Sequence, residues 1–120
     1  MAERRRLLFT GMTANPGGKE SFIVSAFAAL HEDFDCWFLA DRPQLAYQER
    51  ITSMGGRIVS VRPRSRSPLG NRRDLRTLYD EVPFDVVWSH QTVLNTLAPL
   101  GFARRAGVPV RIIHSHSTKN

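Results

Sequence analysis

Five short apolar runs alternate with helical patterns along this chain, and that order constrains the fold more than any other feature. The run at 36–39 is continuously apolar, as is typical of a parallel strand buried on both faces. Strict alternation implies a parallel sheet with helices on both faces and right-handed crossovers. We therefore predict a Rossmann-like α/β fold with strands at 6–10, 36–39, 57–61, 85–89 and 110–114 and helices at 19–31, 44–54, 72–81 and 92–106.

The length of 120 residues suits one small globular domain. The sequence stops directly after the fifth predicted strand, where a sheet of this class normally gains a further helix and strand. We therefore expect residues 1–120 to form an incomplete Rossmann-like domain that is truncated after strand five.

A glycine loop joins the first predicted strand to the first predicted helix, at the sheet edge where open α/β folds bind ligands. Gly17 and Gly18 let another molecule approach the backbone, and the N–H groups of the helix start can hold an anion. Gly17, Gly18, Lys19 and Glu20 are therefore candidate ligand-binding residues. A loop that needs glycine only to turn is an equally good explanation of two glycines.

Two common nucleotide-binding motifs do not fit this loop. The NTPase phosphate loop, G-x-x-x-x-G-K-[ST], would place Thr13 at its first glycine and Glu20 at its metal-binding hydroxyl. The dinucleotide pattern G-x-G-x-x-G fails because Gly11 and Gly17 are too far apart. What remains is a pair of glycines followed by an acidic residue at a helix start.

Three of the four histidines fall at the ends of predicted strands four and five. His90 follows strand four, and His114, Ser115 and His116 end strand five. One histidine at a strand end is usually a structural hydrogen-bonder, whereas three at one edge favour a ligand site. Zinc bound by the three histidines is the weaker alternative, because no acidic ligand is obviously placed, so we expect no metal.

The net charge of +6 favours anionic partners such as phosphorylated ligands or acidic lipid headgroups. Nucleic acid is the weakest candidate, since the sequence has no zinc ligand set, RNP-like aromatic motif or basic helix repeat. We predict a mobile loop at 62–71, in which Arg62, Arg64 and Arg66 form a basic arm for a phosphorylated acceptor or a membrane surface. A plain solvated run of charge is the alternative.

The cellular location is predicted from what the sequence lacks. No apolar run is long enough to span a bilayer, and the apolar stretch after the basic N-terminus is too short for a signal peptide. The single cysteine, Cys36, is expected to be a small buried core residue. We expect a cytoplasmic protein that contacts the inner face of the membrane peripherally.

Several motifs together resemble the amino-terminal domain of glycosyltransferase family 4, in its capsular and exopolysaccharide branch. They are G-G-K-E at 17–20, G-G-R-I at 55–58, F-D-V-V-W-S-H at 84–90 and V-R-I-I-H-S-H-S at 110–117. Their order and spacing cover nearly the whole chain. Two departures are Trp88, where the family usually has His, and Lys19, where a small or apolar residue is common.

The resemblance implies one half of a two-domain enzyme of the GT-B fold. Such enzymes transfer a sugar from a nucleotide-sugar to a glycan or lipid-linked acceptor, with retention at the anomeric carbon and without a metal or other cofactor. The glycine loop would then lie beside the donor diphosphate, and His90 would be the catalytic histidine near the transferred sugar. His114, Ser115 and His116 would line the cleft floor.

The resemblance also implies a missing partner. Family members hold the nucleotide in a carboxyl-terminal domain, which these residues do not contain, so we expect this chain to be inactive without that domain or a partner subunit. One alternative is a stand-alone, non-catalytic Rossmann-like module that binds an anionic ligand or a separate catalytic subunit. A hydrolase that uses the histidines directly is disfavoured, because the G-x-S-x-G nucleophile elbow is absent.

Overall fold

The computed structural model describes residues 4–91 and 103–115. Residues 103–105 are helical and belong to the predicted fourth helix, whose positions 92–102 lie outside the described residues. The remaining elements are β1 Arg5–Thr10, α1 Gly18–Leu30, β2 Phe34–Ala40, α2 Gln48–Ser53, β3 Arg57–Ser60, α3 Pro68–Glu81, β4 Val86–Gln91 and β5 Val110–Ser115.

The five strands form one sheet in the order β3-β2-β1-β4-β5, and every neighbouring pair is parallel. The prediction of a Rossmann-like α/β fold is therefore confirmed. From β1 the chain places β2 and β3 on one side, and it then returns to place β4 and β5 on the other side of β1. The strand order therefore reverses between β1 and β4. Open α/β sheets bind ligands at such a switch point, beyond the carboxyl ends of the strands.

Alternation along each strand divides the apolar side chains between two cores, one on each face of the sheet. In β1, Leu7 and Phe9 face the first core, and Leu8 faces the second. Helices α1 and α2 cover the first core, whereas α3 and the helical turn at 103–105 cover the second. Cys36 is buried in the first core, as expected, and burial raises the pKa of its thiol to about 12.

The second helix is shorter than predicted, because it begins at Gln48 instead of residue 44. Tyr47 has a left-handed backbone with φ 58° and ψ 24°, which a helix cannot continue through. The Leu45 N–H donates to the Gln48 side chain (3.0 Å), and the Ala46 N–H donates to the Thr13 carbonyl (2.9 Å). Positions 44–47 therefore form a connection that is bound to the glycine loop.

The third helix is longer than predicted, because it begins at Pro68 instead of residue 72. Ser67 caps it by accepting a hydrogen bond from the Gly70 N–H (3.1 Å), and proline suits the first helical position. The prediction that 62–71 is a loop throughout is therefore wrong, since its last four residues form the first turn of α3.

Arg62 is also more constrained than a mobile arm would be. Its guanidinium makes two hydrogen bonds to the Asp74 carboxylate, of 2.9 and 3.0 Å, and its backbone N–H makes a third of 2.7 Å. The side-chain hydrogen bonds hold the pKa of Asp74 below its usual value. Arg64 and Arg66 lie exposed between this ion pair and the start of α3, and Arg62 is also exposed although its guanidinium is held by Asp74.

Membrane insertion has no support from the helices that the structure describes. None of them combines the length and the apolar character that crossing a bilayer requires.

The α3 cap gives a direct test of the corrected helix boundary. Replacing Ser67 by Ala removes the side-chain acceptor of the Gly70 N–H and is expected to lower the free energy of unfolding by about 1 kcal/mol. Urea unfolding curves measure the change. The matched control is Ser65→Ala in the exposed turn before the helix, where we expect a change of less than about 0.5 kcal/mol. Equal losses in the two variants would contradict a cap at Ser67.

Candidate functional site

The carboxyl ends of all five strands lie at one edge, because every strand pair is parallel. The β4–β5 register pairs His90 directly with His114, and their ring centroids are 5.6 Å apart. The predicted grouping of histidines is confirmed for these two. Ser115 ends β5 at the same edge, and His116 lies outside the described residues.

The ends of β1 and β4 are held together at the switch point. Thr10 donates a buried hydroxyl hydrogen bond of 3.1 Å to Ser89. Gly11, the next residue, has φ 98°, and a Cβ on it would lie 1.8 Å from the carbonyl oxygen of His90. Only glycine allows the two strand ends to approach so closely. The sequence analysis did not assign this role to Gly11, although a glycine directly after an apolar strand is a signal for it.

The carboxylate of Glu20 binds the glycine loop from inside. The Thr13 hydroxyl and N–H donate to one carboxylate oxygen (2.7 and 3.0 Å), and the Gly17 N–H donates to the other (3.3 Å). The Lys19 ammonium lies 3.9 Å away, and Glu20 is only 4% exposed. Burial alone would raise the pKa of Glu20, but the hydrogen bonds from Thr13 and the charge of Lys19 outweigh it, so the pKa is lowered.

This geometry separates the four candidate residues of the loop into two kinds. Glu20 faces inward and fixes the loop, and Lys19 lies partly buried beside it. Gly17 and Gly18 are exposed, and α1 begins at Gly18. The first N–H groups of a helix have no acceptor within the helix and carry its positive dipole end. An anion at this loop would therefore meet backbone N–H groups, with Glu20 behind them.

A cluster of rings surrounds the two imidazoles. Trp88 lies 4.9 Å from His90 and 6.3 Å from His114 between ring centroids, and Phe9 lies 5.9 Å from His90 and 5.7 Å from Trp88. Phe22 of α1 meets His114 edge-on at 4.8 Å and His90 at 5.8 Å. His90 is 1% exposed, whereas His114 is half-buried and Phe22 is 38% exposed. His114 and Phe22 are thus more accessible to an incoming ligand than His90 is.

Metal binding gains no support from the residues in the described ranges. Among them, no three His, Cys, Asp or Glu side chains lie close enough together to hold one ion. The third histidine of the zinc alternative, His116, lies outside the described residues.

The chain matches no protein-family profile. It is 34% identical over 122 residues to a protein of Bacillus subtilis (strain 168) named "Putative glycosyltransferase EpsF", in an alignment that includes 98% of this chain. The chain spans 31% of the length of that relative.

Two solved structures of the C-terminal domain of the PF1911 hydrogenase from Pyrococcus furiosus have a similar fold. Their TM-scores are 0.64 and 0.61 at 16% sequence identity. The matches cover 93% and 95% of this chain and 92% and 95% of those chains, respectively. At that identity the likeness shows a shared fold alone, whereas the Bacillus protein is similar in sequence.

We predict that Glu20→Gln destabilises the protein by about 2 kcal/mol near neutral pH. One carboxylate oxygen becomes an NH₂ group that faces an N–H or O–H donor, and a charged acceptor is lost. Urea unfolding measures the change, with Glu49→Gln in the exposed first turn of α2 as the matched control. Equal stability of the two variants would contradict the loop-binding role of Glu20.

The difference in the free energy of unfolding between the parent protein and Glu20→Gln should also depend on pH. Because the folded pKa of Glu20 lies below its ordinary value of 4.5, its carboxylate stabilises the fold fully above that pH. The contribution is lost as the pH falls through the folded pKa. The difference between parent and Glu20→Gln should therefore shrink in acid, and a difference that grows with falling pH would contradict the lowered pKa.

Gly11→Ala tests the close approach of β1 and β4. The new Cβ would overlap the His90 carbonyl, and its positive φ disfavours every L side chain, so we expect a loss of about 3 kcal/mol or more. Gly18→Ala is the matched control, because nothing lies within 4 Å of its added Cβ. Thermal unfolding of both variants gives the comparison, and similar melting temperatures would refute the packing described here.

Proposed function

We propose that this chain forms the amino-terminal wall of the active-site cleft in a retaining glycosyltransferase of the GT-B fold, within glycosyltransferase family 4. The enzyme would transfer a sugar from a nucleotide-sugar to a glycan or lipid-linked acceptor. One observation carries the proposal. An exposed glycine loop joins β1 to α1, and the imidazole pair lies on β4 and β5, the next two strands of the sheet. The chain that carries this arrangement is similar over 98% of its length to a protein named as a putative glycosyltransferase.

The chemistry of sugar transfer explains why this arrangement suits the proposal. When the bond from the anomeric carbon to the donor phosphate breaks, the departing nucleoside diphosphate takes the electron pair and gains negative charge. Backbone N–H groups at the start of α1 would stabilise that charge through fixed dipoles that need no reorganisation. The acceptor hydroxyl oxygen bonds to the anomeric carbon and would give its proton to the departing phosphate oxygen.

The two imidazoles take different parts in this proposal. His114 is the half-buried ring that an acceptor or sugar hydroxyl can reach, and it would donate or accept a hydrogen bond there. His90 lies behind Phe22, Trp88 and Phe9, so contact between His90 and the transferred sugar would require Phe22 to move. The catalytic role of His90 and the ligand contacts of Ser115 and His116 stay predictions.

The rest of the proposed enzyme lies outside this chain. The nucleotide would be held by a second domain or a partner subunit, which fits a chain that spans 31% of its relative's length. No metal or other cofactor is proposed, and this chain alone is expected to transfer no sugar. Arg64 and Arg66, exposed beyond the carboxyl end of β3, would contact a phosphorylated or lipid-linked acceptor at the inner membrane face.

The test uses the polypeptide at the full length that its source makes, with a panel of radiolabelled nucleotide-sugars and lipid extract from the same source. We expect sugar transfer by the parent protein, with retained configuration in the product by NMR. His114→Ala should lower kcat by about 100-fold, as loss of one transition-state hydrogen bond does. His31→Ala, at the far end of α1, is the matched control and should leave kcat unchanged.

Two results would overturn the proposal. No transfer from any nucleotide-sugar, with inorganic pyrophosphate still bound at the glycine loop, would favour the non-catalytic anion-binding module. Equal kcat in the His114→Ala and His31→Ala variants would remove His114 from the active site.

A further inference from the structure

A cleft of about 380 Å³ lies on the opposite side of the glycine loop from the imidazoles. We name it the Tyr47 cleft. Its volume is within the range of small-molecule sites, roughly 300 to 1,000 Å³. Two loop residues and the connection before α2 line it: Ala14, Pro16, Gln44, Leu45, Ala46 and Tyr47.

Hydrogen bonds between its two walls hold the cleft in shape. The Ala46 N–H donates to the Thr13 carbonyl (2.9 Å), which binds the connection to the glycine loop. The Tyr47 hydroxyl lies 3.3 Å from the Ser21 hydroxyl on α1. Leu45 and Ala46 form a buried floor, whereas Gln44 and Tyr47 are exposed at the rim. The cleft is thus a defined space between two segments that hydrogen bonds hold together.

Tyr47 has an unusual backbone for its residue type. Among the described non-glycine residues it alone has a positive φ, 58°. The left-handed region is unfavourable for a bulky side chain, and such strain is concentrated at ligand sites and clamps. Here it presents a ring that is 37% exposed at the cleft rim.

The lining selects the chemistry of the occupant. None of the six lining residues is charged, although the chain has a net charge of +6. Asp41 and Arg42, the nearest charged residues before the connection, pair with each other at 3.0 Å. A phosphate would therefore find no cation among the lining residues that the structure describes. An aromatic face, an apolar floor and one amide suit a neutral molecule that has C–H faces and hydroxyl groups.

We propose that the Tyr47 cleft binds a neutral sugar ring of the acceptor. The Tyr47 ring packs against the C–H face of the sugar, and the Gln44 amide hydrogen-bonds its hydroxyls. This inference rests on the proposed glycosyltransferase function, since that function supplies the acceptor. The inference adds Tyr47 and Gln44 as residues that determine acceptor specificity, and both lie beside the glycine loop and apart from the imidazoles.

Ligand-detected saturation-transfer NMR on the full-length polypeptide tests binding without requiring activity. The probes are methyl glycosides of glucose, galactose and N-acetylglucosamine, with uridine as a neutral aromatic comparison. Tyr47→Asn removes the ring but keeps a residue that tolerates the left-handed region. Gln44→Ala removes the amide, and Leu69→Ala, an exposed apolar residue on α3, is the matched control.

We expect at least one glycoside to bind the parent and the Leu69→Ala variant equally. Binding should weaken at least tenfold in Tyr47→Asn and several-fold in Gln44→Ala, with melting temperatures within a few degrees of the parent. Three results would overturn the inference: no glycoside binds the parent, glycoside binding is unchanged in Tyr47→Asn, or only uridine binding depends on Tyr47.

A kinetic measurement separates this inference from the proposed function. If the enzyme transfers sugar, Tyr47→Asn should raise the acceptor KM at least tenfold and leave the donor KM unchanged. A raised donor KM would instead place Tyr47 at the donor and overturn the inference. If the enzyme transfers no sugar, the proposed function fails, and the NMR result alone still shows whether the cleft binds a sugar ring.

Discussion

The pairing of β1 with β4 is the constraint on which the candidate site depends. Their carboxyl ends meet through the Thr10–Ser89 hydrogen bond and through Gly11, whose missing side chain admits the His90 carbonyl. This approach brings the glycine loop after β1 beside the imidazoles of β4 and β5. Glu20 then fixes the loop from inside, so that the exposed surface of the loop is backbone. The strand register thus sets where the loop and the imidazoles lie, and side chains such as Glu20 then fix the loop in place.

The fold could be predicted from the sequence because its separate patterns all indicate the same architecture. Short, continuously apolar strand runs, glycine at the turns and strict alternation of strands with helices all favour one parallel sheet. The boundaries of α2 and α3 were wrong for local reasons. Tyr47 adopts a left-handed backbone that no propensity for tyrosine indicates, and Ser67-Pro68 is a cap signal that was read as part of a basic loop.

The candidate site was less predictable, since its contacts join residues that are distant in sequence. The edge that carries His90 and His114 followed from the parallel topology, whereas their exposure did not, because it depends on how Phe22 of α1 packs against both rings. The place of Glu20 in the motif predicts a ligand-binding residue, whereas its carboxylate binds the loop from inside. Its inward contact with Thr13 depends on how the loop folds back on α1, which residue spacing alone does not define.

We propose that the glycine loop meets the diphosphate of a nucleotide-sugar. Amide resonances of ¹⁵N-glycine-labelled full-length protein, followed during titration with nucleotide-sugars, test this claim most directly. We expect the signals of Gly17 and Gly18 to move with saturable binding, while that of Gly107, before β5 at the opposite edge of the sheet, stays in place. Saturable shifts at Gly107 with none at Gly17 or Gly18 would contradict the proposal.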